Sequence, residues 1–333
     1  SDGGETTNPK FGLNWRPIED LMVRASYGTS LRAPSFAELY GNSLNLYTQN
    51  YTDPTLPGIR QGVALSGGNL NLKPEEATTW TVGLDYTPSF LPGSRFTATY
   101  FDIEYEGQVS AYLSNLNILS LESEFAGTGI ITRGTAAATR VADLLTSGIT
   151  YATPPASNPI TLFVDGRTFN LGRSLMSGFD FEASMTWDVL NGDLTAALNG
   201  TYLTNYESSI TPNGTLIDRL DTIFNPHDFR MRASLAYTIG NFRAYGVMNY
   251  IGEYTNDLLA TRQKVDAWVT FDANLTYDLP GPDMTIGLDV RNLMDEDPPY
   301  VNVAPNGNGS GGYDASAANP TGRVIGISLR KRF

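Results

Sequence analysis

Of all the side chains able to do acid–base or metal chemistry near neutral pH, this chain offers very few. It has one histidine, His227, and no cysteine in 333 residues. A single imidazole cannot build a zinc centre without His or Cys partners, and none of the usual ligand spacings is present. His227 sits in the stretch Asn-Pro-His-Asp-Phe (225–229), where it reads as a loop ligand for iron, as a general base of a hydrolase, or as a plain loop residue entering a strand. The last is the economical reading. Asp295, Glu296, Asp297 and Asp314 share one Gly- and Asn-rich segment, a composition calcium favours, but without EF-hand spacing they read as solvated loop charges. The glycines of 307–312 do not lead from a strand into a helix, so a phosphate cradle is not expected. Tyr40, Tyr47, Tyr51, Tyr112, Phe125, Tyr151 and Phe163 all fall between candidate strands. Aromatic rings bury large area at little entropic cost, so these either anchor a ligand or pack the loops on one another. No catalytic residue, metal site or cofactor is expected.

The elements that would position such residues repeat every two residues. Trp80, Val82, Leu84 and Tyr86 oppose Thr79, Thr81, Gly83 and Asp85; Phe179, Phe181, Ala183, Met185 and Trp187 oppose Asp180, Glu182, Ser184 and Thr186. The same alternation recurs over 269–277 and 284–291. Period 2 places such sets on opposite faces of a strand. Eleven strands are predicted, at about 7–16, 20–30, 76–87, 94–108, 170–187, 193–207, 228–238, 242–254, 265–278, 283–293 and 321–333. The 242–254 strand is the least regular, because Tyr245 and Val247 fall on the face that should be polar. Within the segment 109–169, Val141, Leu144 and Leu145 carry helical spacing, so two short helices packed into an Ω-type loop are expected there.

Three features separate a membrane barrel from a soluble sandwich. Full charges interrupt the strands (Asp102, Glu104, Asp180, Glu182, Arg230, Arg232, Asp272, Asp289, Arg291), as a water-filled or plugged lumen allows. Aromatics fall near strand ends (Trp15, Tyr27, Tyr86, Tyr105, Trp187, Tyr237, Tyr277, Phe333), as interfacial girdles require. Short turns near 17–19, 87–93, 188–192, 239–241 and 279–282 alternate strictly with long segments at about 31–75, 109–169, 208–227, 255–264 and 294–320. Short turns on one side and long loops on the other are the outer-membrane pattern. No apolar run is long enough for a spanning helix, whereas barrel strands need only about 9–11 alternating residues. The net charge of −13 leaves no basic surface for nucleic acid.

Several motifs resemble those of TonB-dependent outer-membrane receptors. Residues 21–40 read LMVRASYGTSLRAPSFAELY, similar to the strand that runs into an Arg-Ala-Pro turn (here Arg32 and Pro34) at the outer rim. NLNLKPEE (69–76), GFDFE (178–182), VRNLMD (290–295, with Asn292) and the final GRVIGISLRKRF (322–333, ending on Phe333) follow in family order. The resemblance implies an all-β transmembrane antiparallel barrel, with this chain supplying the C-terminal half of 22 strands. It implies energy-coupled uptake of a large scarce solute, such as an iron–siderophore complex, with no chemistry performed on it. The solute site would then lie among the outer loops, at Tyr40, Tyr47, Tyr51, Tyr112, Phe125 and Tyr151. Implied partners are the lipid bilayer, the protein's own N-terminal strands and plug, the TonB complex reached through that plug, and the barrel assembly machinery. A passive porin-like channel and an outer-membrane hydrolase are the alternatives. Neither a plug nor a coupling box is found in these residues.

Overall fold

The structure is a computed structural model that describes residues 7–331 except 42, 56–58, 156–158, 212, 259–260, 282 and 303–310. Eleven long strands form one antiparallel sheet in strict sequence order. They are β1 (Lys10–Ile18), β2 (Leu21–Arg32), β3 (Glu75–Tyr86), β4 (Ser94–Ala111), β5 (Thr168–Val189) and β6 (Gly192–Ser209). The sheet continues through β7 (Phe229–Ile239), β8 (Phe242–Ile251), β9 (Trp268–Leu279), β10 (Met284–Arg291) and β11 (Val324–Lys331). Each strand pairs with its neighbours in sequence, so every connection is a hairpin. One of the two-residue turns joins β5 to β6 through Leu190 and Asn191, both at positive φ (52° and 62°). Two such residues make the primed turn whose twist matches the strands it links.

Register decides which side chains share a face. One face carries a belt of rings: Trp80 contacts Tyr100, Tyr100 contacts Phe179, and Phe229 contacts Tyr202, Phe181 and Tyr250. A second row lies at the turn end, where Tyr86 meets Phe96 and Phe242 pairs with Tyr277. From Phe179 to Trp187 is eight residues, roughly 26 Å at about 3.3 Å each, close to the roughly 25 Å apolar band of outer-membrane barrels. Between the rows this face holds small and apolar residues such as Leu84, Ala183, Leu198 and Leu288. The opposite face carries Thr99, Asp180, Thr201 and Arg230 in one row across four strands, and Glu182, Asn199 and Arg232 in the next. Tyr245 and Val247 do face this polar side, beside Asn274 and Asp272.

Two expectations about facing are corrected. Asp102 and Glu104 lie on the belt face, since Asp102 pairs with Trp80 in β3. β4 has 18 residues and β5 has 22, longer than a bilayer crossing needs. Beyond the ring belt the same face of these strands carries charges in place of apolar residues. Arg173 accordingly forms an ion pair with Glu104 on that extension. The apolar parity of β4 switches at the same point: Phe101 and Ile103 turn to the other face. Tyr105 likewise is no girdle residue, because it points with Ala77 to the polar side.

The two longest connections are not loops in the ordinary sense. Segments from 31–75 and 109–169 together build a five-stranded mixed sheet, in the order Ile131–Arg133, Leu162–Asp165, Ile59–Ser66, Asn45–Thr52, Thr150–Thr153. One helix, Thr135–Thr146, packs on it, and a 3-10 turn spans Ile118–Leu121, so one of the two expected helices is only a single turn. Val141 is buried and Leu144 packs against the same core, while Leu145 is exposed.

Candidate functional site

The Arg-Ala-Pro segment ends β2 at the rim. Arg32 projects from the strand's last position directly opposite Glu75, the first residue of β3. Its Nε and Nη2 donate to the two Glu75 carboxylate oxygens at 2.5 Å each, a fork-to-fork geometry that fixes direction as well as charge. Glu75 is almost fully buried, and it also accepts from the Tyr105 hydroxyl at 2.5 Å and from the Val109 amide at 2.7 Å. Pro34, with its fixed φ and no amide proton, then terminates the strand.

Helix α1 (Phe36–Tyr40) starts immediately after, closed by a capping box between Ser35 and Glu38. Glu38 bonds Arg32 at 3.0 Å, and its carbonyl accepts from the Asn69 amide at 3.0 Å. A Cβ on Gly68 would come within 2.2 Å of the Leu39 carbonyl, so only glycine allows this close approach. These contacts hold one short turn of helix rigidly on the rim. On it Phe36 and Tyr40 stand 76% and 59% exposed with ring centroids 4.9 Å apart. Large exposed rings on a fixed support are the anatomy of a recognition platform.

The six aromatic ligand candidates therefore separate. Tyr40 is exposed, and Tyr47 and Tyr151 are half-buried. Tyr51, Tyr112 and Phe125 are interior: with Ile118, Leu119, Ile130, Leu162 and Val164 they form the core beneath the mixed sheet. Phe163 belongs to the neighbouring core with Leu46, Val63 and Val141. Those four rings pack the rim segments together and are closed to a solute, a correction imposed by the area each must bury. Tyr112 also donates to the Ile210 carbonyl at 2.5 Å, joining this unit to the next connection. An ion network braces the same unit. Asp53, whose carboxylate is fully enclosed, accepts from Arg133 at 2.8 Å and from the Thr55 hydroxyl at 2.7 Å, and Arg133 also pairs with Glu122. Arg133 and Thr55 hold the Asp53 carboxyl well below the usual carboxylate range.

A second knot gathers the other three long connections. Ile223, Tyr254, Val265 and Val301 form its apolar core, with His227 buried edge-on against Tyr254. Asn292 is a turn residue here. It sits at φ 49°, a conformation asparagine tolerates, and its amide group bonds both the N–H and the C=O of Glu296. Asp314 is enclosed and accepts from the Phe224 amide and from Ser316. Asp295 accepts from the Arg323 amide, so it and Asp314 each serve the turn around them. Among the described residues no three His, Cys, Asp or Glu side chains gather as a metal-binding group. Phe333 lies outside the described residues.

The sequence reading missed Phe36, Glu75 and the Asp53–Arg133 pair. Glu75 was within reach, because the NLKPEE segment carries two acids at a strand start and Arg32 ends the strand before it. Nothing in the sequence joins Asp53 to Arg133 across 80 positions.

An antiparallel next-neighbour sheet with a ringed apolar belt, a polar opposite face and alternating short and long connections is the wall of a transmembrane β-barrel. The family model for the TonB-dependent receptor-like β-barrel matches residues 1–293, and the chain belongs to that family. Among solved structures, the chain is similar to a ferric enterobactin receptor variant from Pseudomonas aeruginosa, at 17% identity and a TM-score of 0.64, over 98% of this chain and 40% of that one. A siderophore receptor from Acinetobacter baumannii matches at 15% identity and TM-score 0.63, over 99% and 41%. A copper transporter matches at 14% and 0.53, over 96% and 38%. At such identities the likeness is one of fold, and the chain spans about 40% of the length of these structures. The family is one of receptors and transporters.

Proposed function

We propose that this chain forms part of the wall and outer mouth of a TonB-dependent receptor. That receptor takes up a large scarce solute, an iron–siderophore complex or a comparable nutrient chelate, across the bacterial outer membrane. Family membership supports the uptake class. The observation that carries the site is the exposed Phe36–Tyr40 pair, clamped to the barrel rim through Arg32, Glu38 and Glu75. In this reading the chain does no chemistry on its cargo; the rim binds and orients it.

The reading also assigns partners. Lipid surrounds the ringed belt. β1 pairs only with β2, and β11 only with β10, among the described residues. Each backbone group left unpaired in hydrocarbon costs several kcal/mol, so the free edges require further strands. We assign these to an N-terminal part of the same protein, making this chain the C-terminal half of the barrel. A plug in the lumen would meet the polar face and transmit the pull of the TonB complex. The final stretch of sequence, β11 and the residues after it through Phe333, would be the segment read by the barrel assembly machinery.

The test uses the intact receptor. Growth on a panel of iron and copper chelates as sole metal source identifies the cargo, and its affinity is then measured for wild type and for the Phe36→Ala/Tyr40→Ala double variant. A loss of at least about tenfold, with barrel assembly unchanged, is expected of paired aromatic anchors. Unchanged affinity and uptake would remove α1 from the site.

A further inference from the structure

His227 takes no part in the rim platform, yet it is only 3% exposed. Both of its ring nitrogens are closed to solvent and find no hydrogen-bond partner among the described residues. A neutral imidazole carries one donor and one acceptor, and burying both unpaired is unfavourable. A leucine or phenylalanine would fill the position without that penalty. The ring lies 4.7 Å from the Tyr254 ring at 78° between planes. Tyr254 stands in the apolar core where the 208–227, 255–264 and 294–320 connections meet.

The segment leading into His227 is strained as well. Asp221 and Phe224 have φ of 53° and 63°, and a bulky side chain such as Phe224 rarely adopts that region. The strain is held by contacts between connections. The Phe224 amide donates to Asp314 at 3.0 Å, the Thr255 amide to the Asp221 carbonyl at 2.8 Å, and the Ile223 amide to the Thr255 carbonyl at 3.0 Å. Idle polar atoms and a strained turn thus coincide where three outer connections close on one another. Opening the knot would rehydrate the imidazole and relax the turn together.

We propose that His227 is an acid-sensitive latch on the outer mouth: neutral, it lets the three connections close; protonated, it releases them. The inference does not depend on which solute is carried. Burial is the largest influence on the imidazole and lowers its pKa from 6.5 to about 4; Arg230 on β7 pushes the same way, and Asp314 opposes both. Tyr254 stays neutral, its hydroxyl pushed up by burial. Asp221, on the same turn, is pushed up by burial and accepts from the Asp228 amide, so acid favours the closed turn there and works against the latch. Because the closed pKa lies below the open one, the open form binds the proton first. The closed knot is therefore fully favoured above about pH 6.5 and loses ground as pH falls toward about 4. At pH 5 His227 alone would raise the open-to-closed ratio about 30-fold over its neutral value, an upper bound that Asp221 reduces.

Hydrogen exchange of the full-length receptor in lipid nanodiscs tests this, with rates corrected for their intrinsic pH dependence. Peptides covering 219–228, 252–257 and 292–302 should lose at least about 5-fold and at most about 30-fold in protection between pH 7.5 and 5, while β9 keeps its own. In His227→Phe the same peptides should stay protected at both pH values. Should that variant fail to assemble, His227→Gln, polar but non-titrating, must lose the pH response in its place. Full protection of wild type at pH 5, or an undiminished response in the variants, would overturn the latch.

Discussion

Glu75→Gln perturbs the junction between β2, β3, β4 and helix α1 at one atom pair. The native carboxylate accepts four hydrogen bonds: two from Arg32, one from the Tyr105 hydroxyl and one from the Val109 amide. Glutamine keeps the shape but offers a single acceptor oxygen, and its amide nitrogen would confront the guanidinium donor to donor. Arg32 is about half exposed and retains Glu38, so screening limits its share to roughly 1 kcal/mol. The weakened bonds to Tyr105 and Val109 add about 1.5–3 kcal/mol, since bonds to a charged acceptor are among the stronger ones. The sum is about 2.5–4 kcal/mol, felt first at the rim. Glu76→Gln, one residue on and exposed on the other face, should cost no more than about 0.5 kcal/mol. Denaturant titration in lipid vesicles reads the global cost, and exchange of the Val109 and Leu39 amides reads the local one. If the two variants behave alike in both measurements, the junction does not organise the rim as argued.

Two further outcomes are expected. Leu288 lies on the belt face opposite Leu275, so Leu288→Arg should cost about 2–4 kcal/mol in vesicles, whereas Asp289→Asn on the polar face should cost much less; equal costs would reverse the facing of the sheet. Asp53 has its carboxyl pKa depressed by Arg133 and Thr55, so its contribution to the rim sheet is present above about pH 4 and is lost as pH falls through the lower folded value. Proteolytic protection of residues 45–66 should therefore decline in strong acid, and Asp53→Asn should start lower and show a flatter acid response; parallel curves would deny the pair that role.

The sequence by itself determined the sheet. An apolar face opposite a polar one imposes a two-residue period along most of each strand, so all eleven strands, their order and the alternation of short and long connections could be read from residue types, although β4 switches parity and β8 carries Tyr245 and Val247 on its polar face. The Arg32-Ala-Pro34 turn is legible there too, through its resemblance to the family motif, and Pro34, which has no amide proton to donate to a ladder, suits a position just past a strand end. What the sequence could not determine was where a face leaves the ring belt. Tyr100 and Asp102 share one face of β4, and only the register against β3 and β5 shows that one lies in the ring belt and the other beyond it. Nor could it distinguish Tyr40, exposed on α1, from Tyr51, enclosed beneath a sheet. That difference arises from parallel pairing of segments about a hundred residues apart, such as Ala64 with Val164, which no local pattern encodes. The burial of His227 has the same origin: three connections distant in sequence meet over it, and only their meeting turns an ordinary loop histidine into a group with both nitrogens shut away from water.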